Sequence, residues 1–321
     1  MKWVAVAAVT LFAWLHFASD GGDLWGRWSD HRRHVGEAIA FQHVGFSLYT
    51  HTYDEATRGL TLPCEMHTSL WAHTGVPYPP LGVLLHWPMA QLELHGVLSP
   101  PTAHKVIVWL FGFAGIVTTW LGAQLLLSWR RWLFVLMFGP LLIGVGFSGF
   151  YDTLYALAAV LAVKHGRRWA VLAYPLHFRG VVVLTLHSWR RAWWSTALII
   201  ANSAVAIVAS RHLGVFKVTN RLYVMDPRNA WFPALTAIVC FVVRGERLAL
   251  PLAMTGALLY VDRQRAFWHM LLLLPVVLEA LRRASNRTAL LICAWAYMAA
   301  QHVLDADRPF NVLWFWLRAP W

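Results

Sequence analysis

Long apolar runs, separated by short clusters of arginine and tryptophan, recur along nearly all of this chain. Each run could be buried in a protein core or surrounded by lipid, and their total decides between the two. Of 321 residues, 59% are apolar and only 13% are charged, about half the charged share of a soluble domain. A soluble fold of this length cannot bury nearly all of that apolar surface, whereas lipid supplies the missing environment. Trp129, Trp132, Trp169, Trp189, Trp193 and Trp194 stand beside arginines at the ends of runs, where amphipathic rings favour the headgroup level. The chain therefore reads as an all-α, polytopic transmembrane helical bundle.

The net charge of +12 could signal nucleic acid in a soluble protein. Here the arginines lie between apolar runs, which fits positive-inside topology and contact with anionic membrane lipids and excludes nucleic acid as a partner. The three cysteines, Cys64, Cys240 and Cys293, show no paired spacing and read as packing residues, not as a disulfide framework or metal site.

Residues 3–18 read as a retained first span, with Lys2 marking a cytoplasmic N-terminus. An outer loop, 19–103, follows. It holds an amphipathic helix near 30–45 and a short interfacial helix at 79–95, interrupted by Pro88. Residues 104–127 cross to the cluster Ser128-Trp129-Arg130-Arg131-Trp132, and 132–147 return to Gly149-Phe150-Tyr151-Asp152. Residues 153–164 go back in, and 169–188 form a broken hairpin turning near Arg179. Residues 194–210 lead out to a second outer loop, 211–230. Segments 231–243, 248–261, 267–281 and 289–304 then alternate across, and the tail, 310–321, meets the interface. That makes about nine to eleven membrane segments in a single domain, 1–321.

Several polar groups stand out against this background. If 30–45 is helical, Asp30, His34, Glu37 and Phe41 share one face, and Val35, Ala38 and Ile39 lie on another. The face is either a site or a solvated surface below a cap at Asp30 or Ser29. The run Gly75-Val76-Pro77-Tyr78-Pro79-Pro80-Leu81 makes a rigid start to a helix. Asp152, at the outer end of two apolar segments, either caps a helix or faces water or a partner. Arg179, inside an apolar stretch, pairs either with an anion such as a lipid phosphate or with a carboxylate. Arg263, Arg265 and His269 cluster at another outer end, where they either hold a phosphate or meet headgroups. Among the 16 histidines, His31 and His34 with Glu37 come nearest to metal-ligand spacing. They form no clear motif, so no metal or other cofactor is expected, although a divalent ion is compatible.

In this order the elements resemble the GT-C superfamily of membrane glycosyltransferases, in particular mannosyltransferase-like members that use polyprenyl-phosphate sugars. The matching pieces are Asp30 in the first outer loop, Gly45-Phe46-Ser47-Leu48-Tyr49, Tyr78-Pro79-Pro80-Leu81, Gly149-Phe150-Tyr151-Asp152, Arg179 in a broken segment, and the stretch from Asp262 to Pro275. Asp30-His31 stands where many members carry Asp-x-Asp. The resemblance implies a GT-C-like fold in the plasma (inner) membrane with its site facing outward. It implies an inverting hexosyl- or pentosyltransferase that moves a mannose-like sugar from a polyprenyl-phosphate donor to a glycan, lipid or protein acceptor. Asp30 would be the catalytic base. His34, Glu37, Tyr78, Asp152, Arg179, Arg263, Arg265 and His269 would bind substrate. The alternative is a transporter or flippase of a lipid-linked or anionic substrate, since broken helices with buried Arg and Asp suit that too.

Overall fold

The computed structural model describes residues 7, 27–63, 76, 78, 80–147, 149–166, 169, 180–186, 230–244, 247–261 and 267–304. Every regular element among them is helical: α1 (Arg27–Val44), a 3₁₀ segment (Gly45–Thr50), α2 (Tyr53–Thr57), α3 (Pro80–Leu84), α4 (Trp87–Leu94), α5 (Pro100–Gln124), α6 (Ser128–Phe147), α7 (Asp152–His165), α8 (Val181–Thr185), α9 (Trp231–Val242), α10 (Ala249–Val261), a second 3₁₀ segment (Phe267–Leu273), α11 (Leu274–Arg283) and α12 (Asn286–Leu304).

Two of these helices, α5 and α6, are long and apolar enough to cross a membrane; α9 and α10 are apolar but shorter. The segments expected at 153–164, 231–243 and 248–261 form helices of 14, 12 and 13 residues, each well short of the ~30 Å hydrocarbon core at ~1.5 Å per residue. The segment expected at 267–281 is divided into a 3₁₀ turn and α11, with Pro275 near the start of α11, where a missing N–H costs no helical bond. The expected interfacial helix at 79–95 forms as two pieces, α3 and α4, and Pro88 sits in the first turn of the second. The expected spans at 3–18 and 194–210, the turn of the broken hairpin near Arg179, the second outer loop and the tail lie outside the described residues, apart from Val181–Thr185, which is helical.

Helices α5 and α6 form the central hairpin, and glycine makes their contact possible. A Cβ on Gly115 would run into the carbonyl of Leu142, and one on Gly146 into the carbonyl of Phe111. The two backbones therefore touch, as small residues allow between helices. Thr118 and Thr119 return their hydroxyls to the carbonyls of Ala114 and Gly115 at 2.7 and 2.9 Å, so neither carries an unmet donor into the apolar contact. Phe134, Leu142, Tyr155, Val277 and Trp295 are among the buried residues that join this hairpin to α7, α11 and α12 in one apolar core.

The arginines expected as topological markers also close helix ends. Arg130 donates to the carbonyls of Leu281 (2.8 Å) and Ala284 (2.9 Å) and to Asn286 Oδ1 (2.6 Å). Arg131 donates to Ala123 O (2.9 Å) and Leu126 O (2.6 Å), and Arg282 donates to Val163 O. Each guanidinium meets carbonyls in or just after the last turn of a helix, where i→i−4 bonds run out. These contacts gather the C-termini of α5, α7 and α11 and the start of α6 at one end of the bundle. The N-termini of α5 and α7 and the C-terminus of α6 stand at the other end, where Gly149 approaches the ring of His104.

Candidate functional site

At that second end, α1 packs against α2, α3 and α4 and meets the bundle through His104 and Tyr151. Val35, Ala38, Ile39, Leu48, Val83 and Ala90 make a small apolar core beneath it. The helix is expected from sequence, but its polar face is not solvated. His31, Arg33, His34 and Glu37 are all buried, Glu37 completely. Burying such a row is costly unless each group finds partners, and here they find one another.

Glu37 is the hub. Its Oε1 accepts from Arg33 Nε at 2.7 Å, and its Oε2 faces His34 Nδ1 at 3.1 Å. Burial alone would push this carboxyl up, but Arg33 and His34 together outweigh burial and hold it below the usual carboxylate range. Glu37 is therefore a carboxylate, and His34 Nδ1 must carry the hydrogen between them. Arg33 also lies over the ring of Tyr78, 5.8 Å from its centroid.

His34 is enclosed by rings. His86 stacks on it, with centroids 4.5 Å apart and 22° between planes. Tyr78 and Tyr151 meet it edge-on at 4.9 and 5.5 Å, and contact each other at 5.3 Å. His86 is positioned by the short turn between α3 and α4, and its Nδ1 donates to Gly82 O at 3.4 Å. Burial first, then the neighbouring His34, depress its pKa well below the ordinary value; the Gly82 carbonyl opposes this only in part. His86 is thus a neutral imidazole. Neither His34 Nε2 nor His86 Nε2 has a hydrogen-bond partner among the described residues. Beside this group, His31 Nε2 meets Glu93 Oε1 of α4 at 2.8 Å, and the His31 ring packs edge-on to His104 of α5 at 5.2 Å. The buried Tyr49 phenol is held well above its usual pKa, by burial first and then by the Glu37 charge.

Of the residues expected from sequence, His34, Glu37 and Tyr78 meet here. Asp152 is buried in the first turn of α7, next to Tyr151 in the chain. The helix cap is Tyr151, without a side-chain bond, so Asp152 is not itself the cap. Asp30 lies in α1, one turn before His34, but its side chain is outside the described residues, as is that of His269 in the second 3₁₀ segment. Arg179, Arg263 and Arg265 also lie outside them. Sequence reading gave Arg33, His86, Glu93 and His104 no role, named Tyr151 only as part of the piece Gly149-Phe150-Tyr151-Asp152, and placed His31 only beside Asp30 and within a metal-like spacing. The usable signal was an ionisable side chain inside an apolar segment, which is what His86 and Glu93 are. Among the described residues, no group of three or more His, Cys, Asp or Glu is arranged to hold a metal ion. Cys240 and Cys293 are free thiols.

Chemically, the cluster offers a fixed carboxylate, an imidazole aligned by it, a second imidazole kept neutral, and phenol rings as walls. No protein-family model, characterised protein or solved structure matches this chain.

Proposed function

We propose that this chain is a multi-pass membrane glycosyltransferase that moves a sugar from a polyprenyl-phosphate donor to an acceptor hydroxyl on the outer face of the plasma membrane. One observation carries the reading. His34 and Glu37 of α1, Tyr78 of the proline-rich turn and Tyr151 beside Asp152 converge on one buried polar cluster, at the end of the bundle opposite the arginine-capped one. Those are the pieces that the GT-C resemblance assigns to a single outer site. The membrane setting is supported by apolar side chains that point outward, Trp109 and Phe113 on α5, Leu136 on α6, Phe241 on α9 and Leu290 on α12, a distribution that suits lipid better than water.

Transfer requires a base for the acceptor hydroxyl and positive charge for the departing lipid phosphate. The resemblance puts the base at Asp30 and the positive charge at Arg179, Arg263, Arg265 or His269. Purified protein in lipid nanodiscs is to be given farnesyl-phosphate-linked, radiolabelled mannose, glucose and arabinose, with membrane extract as the source of acceptors. The expected result is release of label from at least one donor into a new glycoside. Transport of intact donor across proteoliposomes with no cleavage would replace the enzyme with a flippase.

A further inference from the structure

We propose that His34, aligned by Glu37, is the group that takes the proton from the acceptor hydroxyl. This rests on the sugar-transfer reading above and moves the base one helical turn along α1 from Asp30.

The geometry is that of a carboxylate–imidazole pair. Both Glu37 oxygens are occupied, one by Arg33 Nε and the other by His34 Nδ1. An acceptor-only carboxylate fixes the hydrogen on Nδ1, so the lone pair of His34 lies on Nε2. That atom has no partner among the described residues, although His34 is only 5% exposed. Nε2 keeps an accessible edge with a free lone pair, and a substrate hydroxyl is the matching donor. Once Nε2 takes a proton, the imidazolium stays paired with Glu37, as in hydrolase triads. The groups facing His34 do not oppose that charge. Tyr78 and Tyr151 present rings. His86 is neutral and keeps its own hydrogen on the Gly82 carbonyl. Arg33 is a cation nearby, and its bond to Glu37 places that carboxylate between it and His34.

The step balances. The acceptor O–H bond breaks and its proton moves to His34 Nε2. The acceptor oxygen forms the new bond to the anomeric carbon. The sugar–phosphate C–O bond breaks, and its electron pair leaves with the polyprenyl phosphate. The proton on Nε2 passes to water once the products have gone.

Glu37 acts through His34 and is a positioning residue. In Glu37→Gln, Arg33 still calls for the amide oxygen, so the amide NH₂ faces His34. The ring must then accept at Nδ1 and carry its hydrogen on Nε2, which leaves nothing to receive a proton.

The test compares His34→Gln, Glu37→Gln and Glu37→Asp in nanodiscs with the labelled farnesyl-phosphate sugars. His34→Gln and Glu37→Gln are expected to lower kcat by about 10²–10⁴-fold with KM little changed. Glu37→Asp is expected to recover part of the loss. A second measurement does not depend on turnover: ¹⁵N NMR of histidine-labelled protein, with the His34 signal assigned by its loss in His34→Phe, which preserves the stack on His86. Native protein should show hydrogen on Nδ1 and a bare Nε2, and Glu37→Gln should reverse them. Native kcat in His34→Gln, or hydrogen found on Nε2 of the native ring, overturns the assignment. If no donor is cleaved by native protein, the transfer reading fails, while the NMR result still decides where His34 keeps its proton.

Discussion

His34 and His86 stack with their ring centroids 4.5 Å apart, yet only His34 has a carboxylate against its ring nitrogen; His86 has a backbone carbonyl. His86 is neutral in the fold because burial, and then His34, depress its pKa. In the unfolded chain it titrates near ~6.5. Below that value the unfolded state binds the extra proton and the native state does not, so stability rises with pH across this window. The contribution is complete above ~6.5 and is lost as the pH falls, by up to about 1.4 kcal/mol per pH unit. The groups packed on His86 are His34, Tyr151 and Phe111, with His31 adding repulsion. Native protein in nanodiscs should show a lower thermal midpoint at about pH 5 than at about pH 7.5, and His86→Phe should flatten that drop. An equally steep drop in His86→Phe would assign it to another group.

Gly36 gives Tyr53 its place. A Cβ at position 36 would overlap the Tyr53 hydroxyl and press on its ring. Alanine normally favours a helix over glycine by up to ~1 kcal/mol, but here overpacking reverses the sign. Gly36→Ala should destabilise by about 1–3 kcal/mol, and adding Tyr53→Phe should recover part of it. A Gly36→Ala protein with a raised thermal midpoint would show that the ring moves aside freely.

The hairpin of α5 and α6 is less forgiving. Gly115 and Gly146 each face a backbone carbonyl of the other helix, and a carbonyl cannot swing away as a side chain can. Gly115→Ala and Gly146→Ala should each separate the helices and cost more than Gly36→Ala. Thermal midpoints of the three variants in the same nanodiscs test that order. Gly96, with φ of +68° and open space around it, should show only the milder backbone cost of alanine.

Substitution can separate the bonds that Arg130 makes from the topological role proposed for its charge. Its fork joins α6 to the end of α11 and the start of α12 through three bonds. Arg130→Lys keeps the positive charge, which on the proposed membrane topology orients the chain, but cannot reproduce the planar fork. It should lower stability by about 1.5–3 kcal/mol and leave the orientation intact, as read by labelling of cysteines placed on either side. Inverted labelling in Arg130→Lys would show that the bonds, not the charge, set the topology.

What the sequence determined by itself was local. Apolar runs named α5, α6, α7, α9, α10 and α12, though not α2, because the period and length of a run depend only on neighbours along the chain. Pro88 was read only as an interruption of 79–95, and the structure puts it and Pro275 in the first turns of α4 and α11. The spacing of His34 and Glu37 put them on one face of α1 before any partner was known. Tertiary structure decided whether that face met water or protein. His86 reaches it from a turn about fifty residues away and Tyr151 from more than a hundred, so no window along the chain contains both partners. It also decided that Arg130, Arg131 and Arg282 close helix ends, because a C-terminal carbonyl without a partner becomes a binding site only when packing brings a guanidinium to it. And it alone set the proton on Nδ1 of His34. A tautomer follows from which acceptor lies within hydrogen-bond reach, and that is a distance.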